Sequence, residues 1–428
     1  MRLTLGKIHI KGVNFGNTTK IENGVLFVNK QELTGLLSED ARIAGIELFL
    51  AKPGENTRIV PVKDVIEPRV KVEGPGNVFP GFLGKVDTVG TGRTHVLQGA
   101  AVVTCGKIVG FQEGIIDMTG PGAQYTPFSK TFNVVVKIEP VAGLNQHEHE
   151  NVVRMAGFKA AAYLGEAGRT VVPDSEEIFD WPSLKEAMSL YPNLPKVAYV
   201  YMLQTQGLLH DTYVYGIDAK RILPTLIAPT EVFDGAIVSG NCVSACDKNP
   251  TYVHLNQPII TELFKRHGKD YNFVGVIITN ENVTLADKER SSNYTARLAE
   301  MLGIDAAIVS EEGFGNPDAD LVMNCRKLEQ QGIKTVLVTD EYAGRDGSSQ
   351  SLADTASEAT AVVTAGNANQ TIVLPKMDTL IGHAEAVDVI AGGFNGSLRQ
   401  DGSIEVEIQA ITGATSEVGF GKLSALGL

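Results

Sequence analysis

The sequence predicts an α/β protein: a β-rich N-terminal domain, then a mostly parallel, doubly wound α/β domain, and a C-terminal tail that contains a β-hairpin. Short apolar runs separated by turn signals fill the first third of the chain. Longer apolar runs then alternate with amphipathic stretches. Asn-Gly and Asp-Gly pairs near the C-terminus are strong hairpin signals. We therefore expect domains at residues 1–143, 144–386 and 387–428.

The β-rich prediction depends on strand-length runs bounded by residues such as Glu22-Asn23-Gly24 and Gly74-Pro75-Gly76. This spacing is typical of a sandwich or a barrel-like domain. The predicted strands here are Leu3–Ile10, Val25–Val28, Ile46–Leu50 and Ala100–Thr104.

The pattern changes near Gln146, where apolar residues begin to recur three or four apart and predict a helix to about Ala162. Beyond Lys196, continuous apolar strands joined by amphipathic helices indicate a parallel sheet that is covered on both faces. The predicted strands are Val197–Leu203, Ala236–Ser239, Phe273–Thr279, Ala306–Ser310, Thr335–Thr339 and Thr371–Leu374. The predicted helices are Pro258–His267, Leu285–Leu302 and Asp318–Gln331.

Composition excludes several classes of partner. The 428-residue chain has a formal net charge of -13, which argues against binding to nucleic acid or to an anionic membrane surface. Its apolar runs are strand-length, far short of the roughly 20 residues that a membrane span needs. The N-terminus lacks the apolar core of a signal peptide, so we expect a cytoplasmic protein.

The four cysteines are too few for a disulfide framework in a chain of this length, and we expect free thiols. Cys105 and Cys325 are interpreted as packing residues. Cys242 and Cys246 lie close together, directly after the predicted strand Ala236–Ser239 and the flexible pair Gly240-Asn241. In open α/β sheets, ligands collect beyond the carboxyl ends of strands, so Cys242 is placed where chemistry commonly occurs.

The residues alone leave four interpretations of this cysteine pair open. The two thiols can be ordinary packing residues. A zinc site needs four ligands, and no second pair is evident. A redox pair normally has Cys-x-x-Cys spacing, which this pair lacks. In the fourth interpretation the Cys242 thiol attacks the carbonyl of Asn241, and elimination and hydrolysis then leave a pyruvoyl group at a new N-terminus.

Acidic residues follow three other predicted strands, in Thr279–Asn282, Ser310–Asn316 and Asp340–Tyr342. We expect them at the same sheet edge as Cys242. Glu311 and Asp340 are the best candidates there for catalytic proton transfer. The alternative for each is helix capping or loop solvation.

His147-Glu148-His149-Glu150 invites a metal hypothesis, because His147 and Glu150 share a helix face. No distant ligand can be named, and a solvated, acidic helix start is the simpler interpretation. We therefore predict no metal site. The glycine-rich pieces match no nucleotide-binding fingerprint.

The stretch Asn241–Asn256 resembles the processing region of the glycine reductase component B proprotein family, which includes glycine, sarcosine and betaine reductases. The resemblance extends over essentially the whole chain. It is also carried by Val62–Lys71, Lys107–Met118, Gln146–Glu150 and Asp340–Gly347.

The resemblance implies cleavage between Asn241 and Cys242 into chains 1–241 and 242–428. Cys242 would become a covalent pyruvoyl group, with no dissociable cofactor. That group would form a Schiff base with glycine and activate its C–N bond for attack by a selenolate, toward acetyl phosphate and ammonia. The implied partners are a selenocysteine-containing component B subunit and the selenoprotein component A, in a hetero-oligomer.

Two alternatives remain beside a glycine-specific enzyme subunit. The chain can serve sarcosine or betaine, since a cleavable cysteine does not decide the substrate. It can also be an uncut scaffold that binds the selenoprotein subunit.

Overall fold

The computed structural model describes residues 1–207, 209, 212–241, 243 and 249–418, and in them the protein is a mixed α/β structure. The first elements in chain order are β1 (Arg2–His9), β2 (Gly12–Gly16), β3 (Lys20–Glu22), β4 (Val25–Asn29), α1 (Lys30–Leu37), β5 (Ile43–Ala51), β6 (Thr57–Ile66), β7 (Arg69–Glu73), β8 (Gly92–Gln98), β9 (Ala100–Gly106), β10 (Gly114–Asp117), α2 (Gly120–Ala123), β11 (Phe132–Pro140), α3 (Gln146–Glu166) and β12 (Ser175–Asp180).

The later elements begin after Asp180. They are α4 (Leu184–Leu190), β13 (Lys196–Leu203), β14 (Thr212–Val214), β15 (Ile217–Asp218), β16 (Thr225–Ile227), α5 (Pro229–Phe233), β17 (Ile237–Ser239), α6 (Thr251–Leu255), α7 (Pro258–Arg266), β18 (Asn272–Asn280), α8 (Leu285–Leu302), β19 (Ala306–Ser310), α9 (Asn316–Gln330), β20 (Lys334–Glu341), β21 (Val362–Asn367), β22 (Thr371–Leu374), β23 (Thr379–Gly382) and β24 (Ile404–Glu407). Short 3-10 helices cover Pro127–Lys130, Ala219–Arg221, Ala384–Asp388 and Ile408–Ala410.

Among the described residues, the first part of the chain builds a small three-stranded sheet of the order β2-β4-β3 and two larger sheets. A four-stranded sheet has the order β12-β1-β8-β7, and a second, nearly closed barrel-like sheet has the order β10-β6-β9-β11-β5. In β6 every residue is buried, because this strand is covered on both faces and also pairs with β23 from far along the chain. The four strands predicted in this part are therefore confirmed as β1, β4, β5 and β9.

Helix α3 packs against these strands and carries one wall of the candidate site. Asn145 caps its first turn, in a capping box with Glu148. Its apolar residues then pack against β6, β7, β9 and β11. The helix extends to Glu166, beyond the predicted end near Ala162. Gly165 lies against the backbone of Arg69, where a side chain would have no room.

The six-stranded sheet that follows has the order β16-β18-β13-β19-β20-β21 and is parallel except for β16. One face packs against α8 and α9 around Leu302, Leu321 and Leu328. The other packs against α7 and the four-stranded sheet, through residues such as Leu5 and Phe179. The predicted mostly parallel sheet is confirmed, and so are its helices, as α7, α8 and α9.

Two predicted members of the parallel sheet lie elsewhere. Ala236–Ser239 corresponds to β17, which pairs antiparallel with β14 in a separate three-stranded sheet. Thr371–Leu374 is β22, and it pairs antiparallel with β24. Both runs are apolar, and apolar composition does not distinguish a strand of one sheet from a strand of another. The sixth strand of the parallel sheet is β21, an edge strand without a continuous buried run.

In the tail, the predicted turn at Gln400-Asp401-Gly402 is present. The Arg399 N–H donates to the Ser403 carbonyl at 2.9 Å, and Leu398 bridges to Ile404 across the turn. β24 then brings Val406 into a small core with Leu374 and Val387.

The close approach of Gly165 to Arg69 gives a test of the α3 packing. Gly165→Ala is expected to lower the free energy of unfolding by about 1–3 kcal/mol, because the added methyl group overlaps the Arg69 backbone oxygen. Gly35→Ala, in the exposed part of α1 with open space around it, is the matched control and should raise that free energy by up to about 1 kcal/mol. Urea unfolding followed by circular dichroism measures both. Equal effects of the two substitutions would contradict the packing.

Candidate functional site

Asn241 lies just after β17 in a left-handed backbone conformation, with φ of 70°. Asparagine adopts this conformation more readily than most residues with a side chain. Its amide Nδ2 donates to the backbone oxygen of Glu150 at 2.8 Å, and Oε1 of Glu150 lies 3.5 Å away. Asn241 is 2% exposed, so the end of this strand is anchored on α3 inside the protein.

The two ends of the segment from Ser239 to Thr251 are fixed to each other and to the barrel-like sheet. The Ser239 N–H donates to the Thr251 hydroxyl at 3.0 Å. Thr251 donates to the buried carboxyl group of Asp64 on β6, from its N–H at 2.9 Å and from its hydroxyl at 2.6 Å. Burial raises the pKa of Asp64 to about 7, although the hydrogen bonds from Thr251 and Val65 and the nearby Arg154 act in the opposite direction.

Cys242, the predicted site cysteine, and the neighbouring Cys246 lie outside the residues that the structure describes. Both neighbours of Cys242 are described. Val243 is buried in the core beneath the barrel-like sheet, and its N–H donates to the Gln112 carbonyl at 3.0 Å. The bonds on either side of position 242 therefore leave from two anchored residues, Asn241 and Val243.

The strand that precedes Asn241 was predicted to belong to the parallel sheet, and this prediction is wrong. That strand, β17, belongs to the three-stranded sheet. The predicted placement of Cys242 lies outside the described residues. Helix α6, which begins where the segment from Ser239 to Thr251 ends, contacts the parallel sheet instead. His254 on α6 accepts or donates a hydrogen bond with the Tyr201 hydroxyl of β13 at 2.7 Å.

Buried carboxyl groups lie beyond the carboxyl ends of the parallel strands. Glu281 follows β18, Glu311 and Glu312 follow β19, and Asp340 lies at the end of β20; each is fully buried. The Glu312 N–H donates to Glu281 Oε1 at 2.6 Å, and the Thr339 hydroxyl donates to Glu311 Oε1. The structure thus places Glu311 and Asp340 together at one edge of this sheet, as the strand pattern indicated.

Burial and neighbouring carboxyl groups favour the protonated form of two of these carboxyl groups. The pKa of Glu281 is raised well above its usual range by burial and by the nearby Glu312 and Glu311. Burial, with Asp318 and Asp340 nearby, raises the pKa of Glu311 in the same direction. Oε2 of each has no hydrogen-bond partner among the described residues. Protonated, inward-facing carboxyl groups of this kind can donate or relay protons.

A polar network that the sequence did not single out lies beside these carboxyl groups. The Tyr199 hydroxyl contacts Ser310 Oγ at 2.5 Å and accepts a hydrogen bond from Gln257 at 2.9 Å. His254 Nε2 lies 3.8 Å from Glu312, but burial lowers the pKa of His254 to about 3, so this contact is not an ion pair. Tyrosines inside an apolar strand are ordinarily interpreted as packing residues. Only the fold shows that their hydroxyl groups lie beside the buried carboxyl groups of the parallel sheet.

The C-terminal part of the described chain returns to this region. Glu417 accepts a hydrogen bond from the Asn249 amide at 3.3 Å, and the Ser416 hydroxyl contacts Asn249 at 3.2 Å. Asn249 is the first described residue after the cysteine pair. The segment that contains the cysteines therefore begins near Glu150 and ends near Glu417.

The His147–Glu150 motif is part of the same region. Glu150 is buried and paired with Arg154 one turn later on α3, and burial lowers the pKa of His149 to about 4. Within the described ranges, no group of three or more His, Cys, Asp or Glu side chains is arranged to hold a metal ion.

Of the four cysteines, Cys105 and Cys325 are described, and both are buried free thiols. Burial raises the pKa of Cys105 to about 12, as expected for a packing residue. Across the described part of the chain, no helix is both long enough and apolar enough to cross a membrane.

Convergent buried polar groups beyond the carboxyl ends of parallel strands are typical of an α/β protein that handles a small molecule. The sequence profile of the family described as glycine/sarcosine/betaine reductase component B subunits matches residues 1–426. The chain belongs to this family.

Named relatives match along their whole lengths. The chain is 70% identical to the glycine reductase complex component B subunits alpha and beta of Acetoanaerobium sticklandii, over 99% of each chain. It is 67% identical to the protein of the same name from Peptoclostridium acidaminophilum, over 100% of each chain. The sarcosine reductase complex component B subunit alpha of the latter organism is 57% identical, over 99% of each chain. No solved structure matches the chain.

The raised pKa of Glu281 predicts that Glu281→Gln changes the free energy of unfolding in a pH-dependent way. The carboxyl group contributes its full stability below its ordinary pKa of 4.5 and loses that contribution as pH rises toward the higher folded pKa. The free energy of unfolding of the glutamine variant should therefore rise relative to that of its parent as the pH increases above 4.5, by at most about 1.4 kcal/mol per pH unit.

Urea unfolding at several pH values measures this difference. Glu289→Gln, at an exposed position on α8, is the matched control and should show no such trend. A difference that stays constant with pH, or that favours glutamate at high pH, would show that Glu281 is not a protonated buried acid.

Proposed function

We propose that this chain is the substrate-binding proprotein subunit of a glycine reductase component B, and that cleavage at Asn241–Cys242 turns Cys242 into a covalent pyruvoyl group. The observation that carries the proposal is family membership along the whole chain, with subunits named for glycine reductase as relatives. The anchored, buried residues on both sides of position 242 support a reaction at that position. The products are chains 1–241 and 242–428.

A pyruvoyl carbonyl supplies an electrophile that condenses with a primary amine and weakens the substrate's C–N bond toward a selenolate. The surroundings of the segment suit such a group. They are buried and polar, and they offer carboxyl oxygens without partners among the described residues, on Glu281 and Glu311. A water-poor site also protects a reactive carbonyl from side reactions.

Glu311 and Asp340 are the proposed acid–base residues. Amine condensation requires one proton to leave the nitrogen and another to reach the departing oxygen, so a protonated carboxyl group is needed close by. The raised pKa of Glu311 favours its proton-donating form. An ionised carboxylate in the same cluster would attract the substrate ammonium group as it enters.

Glycine is the proposed substrate, because the relatives named for glycine reductase are more similar to this chain than the one named for sarcosine reductase. A primary amine is also the best match to a carbonyl electrophile, since a secondary amine gives only an iminium ion and a quaternary amine gives neither product. The proposed partners are a selenocysteine-containing subunit of component B and the selenoprotein component A, which supply the selenolate.

Turnover with the complete set of partner proteins tests the substrate. The value of kcat/KM for glycine should exceed the values for sarcosine and betaine by about a hundredfold or more, because a site built for a primary ammonium group leaves its buried acceptors unpaired with the methylated amines. A higher kcat/KM for sarcosine or betaine would show that this amine, and not glycine, is the substrate. Cleaved chain without activity on any of the three would contradict the proposal.

Glu311→Gln and Asp340→Asn test the acid–base residues. Each variant should still be cleaved at 241/242 but should lose about a hundredfold or more in kcat with glycine, because the carboxyl proton is gone while the shape is kept. Glu341→Gln is the matched control. Its carboxylate is partly exposed and accepts a hydrogen bond from Thr364 at 2.7 Å, away from the buried cluster. Turnover at the parent rate in either cluster variant would remove that residue from the mechanism.

A further inference from the structure

The bond between Asn241 and position 242 can break in two chemically different ways, and only one of them yields a ketone. In the first, the thiol of Cys242 adds to the Asn241 carbonyl carbon. In the second, Nδ2 of Asn241 adds to the same carbon and closes a five-membered succinimide ring. An asparagine next to a cleavage site therefore competes with the nucleophile that follows it.

The structure holds the Asn241 carboxamide through its nitrogen. Nδ2 donates to the backbone oxygen of Glu150 at 2.8 Å, with Glu150 Oε1 at 3.5 Å. Oδ1 is buried without a partner among the described residues. For Nδ2 to attack its own carbonyl carbon it must leave Glu150, and a hydrogen bond lost in a buried place is costly.

Glu150 is itself held rigidly. Its carboxylate pairs with Arg154, and both residues are at most 4% exposed. The Arg154 guanidinium lies over the Tyr213 ring, 4.3 Å from its centroid. Tyr213 is on β14, directly opposite Val238 on β17. The Glu150–Arg154 pair thus joins α3 to the sheet that delivers Asn241.

We propose that Glu150 is a positioning residue that selects the route of chain cleavage, because it restrains the Asn241 side chain and so leaves the carbonyl carbon to the Cys242 thiol. This inference rests on the proposed function. It assigns a role to the acidic residue that ends the His147–Glu150 motif, which the metal hypothesis did not explain.

The two routes differ in their products. On the thiol route the C–S bond forms, the C–N bond breaks and the thiol proton passes to the amine of residue 242. Loss of the Cα proton then expels a thiocarboxylate, and water releases ammonia to leave the ketone. A second water converts the thiocarboxylate into the Asn241 carboxylate and hydrogen sulfide. On the succinimide route the Nδ2–C bond forms, a proton moves from Nδ2 to the leaving amine, and Cys242 keeps its free amine.

Intact-mass and peptide mass spectrometry of the cleaved chain distinguishes these ends. In the parent protein the downstream fragment should begin with a ketone, and the upstream fragment should end in an Asn241 carboxylate. In Glu150→Gln, the ratio of free-amine to ketone ends should rise about tenfold or more, because loss of the ion pair with Arg154 releases the turn of α3 whose Glu150 backbone oxygen holds Nδ2. Glu166→Gln, on the exposed end of the same helix where Glu166 pairs with Arg169, is the matched control and should leave the ratio unchanged.

Two further variants provide independent tests of the same role. Glu150→Asp keeps the negative charge but shortens the side chain, which withdraws the carboxylate from both Arg154 and Asn241, so it carries the same prediction if Glu150→Gln does not fold. In a Glu150→Gln/Asn241→Gly double variant the succinimide cannot form, and the free-amine fragment should disappear. Glycine suits the left-handed backbone at this position.

Folded Glu150 variants that give the parent ratio of ends would overturn the positioning role and leave the proposed function intact. A free-amine end that persists in the double variant would overturn it too. A parent protein that yields only free-amine Cys242 ends, or no cleavage at all, would instead overturn the proposed function.

Discussion

The hydrogen bonds that Asp64 accepts are the constraint on which the candidate site depends. This buried carboxyl group on the barrel-like sheet binds Thr251 twice, and the Thr251 hydroxyl in turn accepts the Ser239 N–H. The two described ends of the segment that carries the cysteine pair, Ser239 and Thr251, are thereby fixed to each other inside the protein. An asparagine at position 64 would present an amide donor to groups that already donate, and the closure would be lost.

The hydrogen bonds at Asp64 fix the ends of the segment from Ser239 to Thr251, and a group of buried polar residues lies at each end. At the first end, Asn241 is anchored on Glu150. At the second, Asn249 contacts Glu417, and His254 reaches the tyrosines and carboxyl groups at the end of the parallel sheet. Burying several carboxyl groups together costs stability, because each must stay protonated or face its neighbours' charge. Natural proteins commonly keep such arrangements where they perform chemistry.

Much of the fold follows from the sequence pattern. Helices α7, α8 and α9 have long amphipathic repeats, and β13, β18, β19 and β20 are continuous apolar runs, so periodicity and length suffice to find them. The sheet membership of β17 and β22 does not follow, because strand pairing is decided by tertiary contacts that an apolar run does not encode. β21 was missed because an edge strand buries little.

Only part of the candidate site can be predicted from the sequence. Glu311 and Asp340 were found because each follows a predicted parallel strand, and the carboxyl ends of such strands share one edge. Glu281 also follows a predicted strand, but nothing in the sequence distinguishes it from its polar neighbours, and only the fold brings Tyr199, His254 and Glu417 together. The proposed cleavage rests on resemblance to a family, and no spacing rule predicts it.

The central claim is that the chain is converted at one peptide bond into an electrophile. The most direct measurement is mass spectrometry of the purified chain, produced together with its partner subunits, before and after treatment with hydrazine. The account predicts two fragments that meet at 241/242, the smaller of them blocked to Edman sequencing and shifted in mass by hydrazine through its terminal ketone. A single uncut chain with a free Cys242 thiol, isolated from a complete set of partner proteins that turns over glycine, would contradict it.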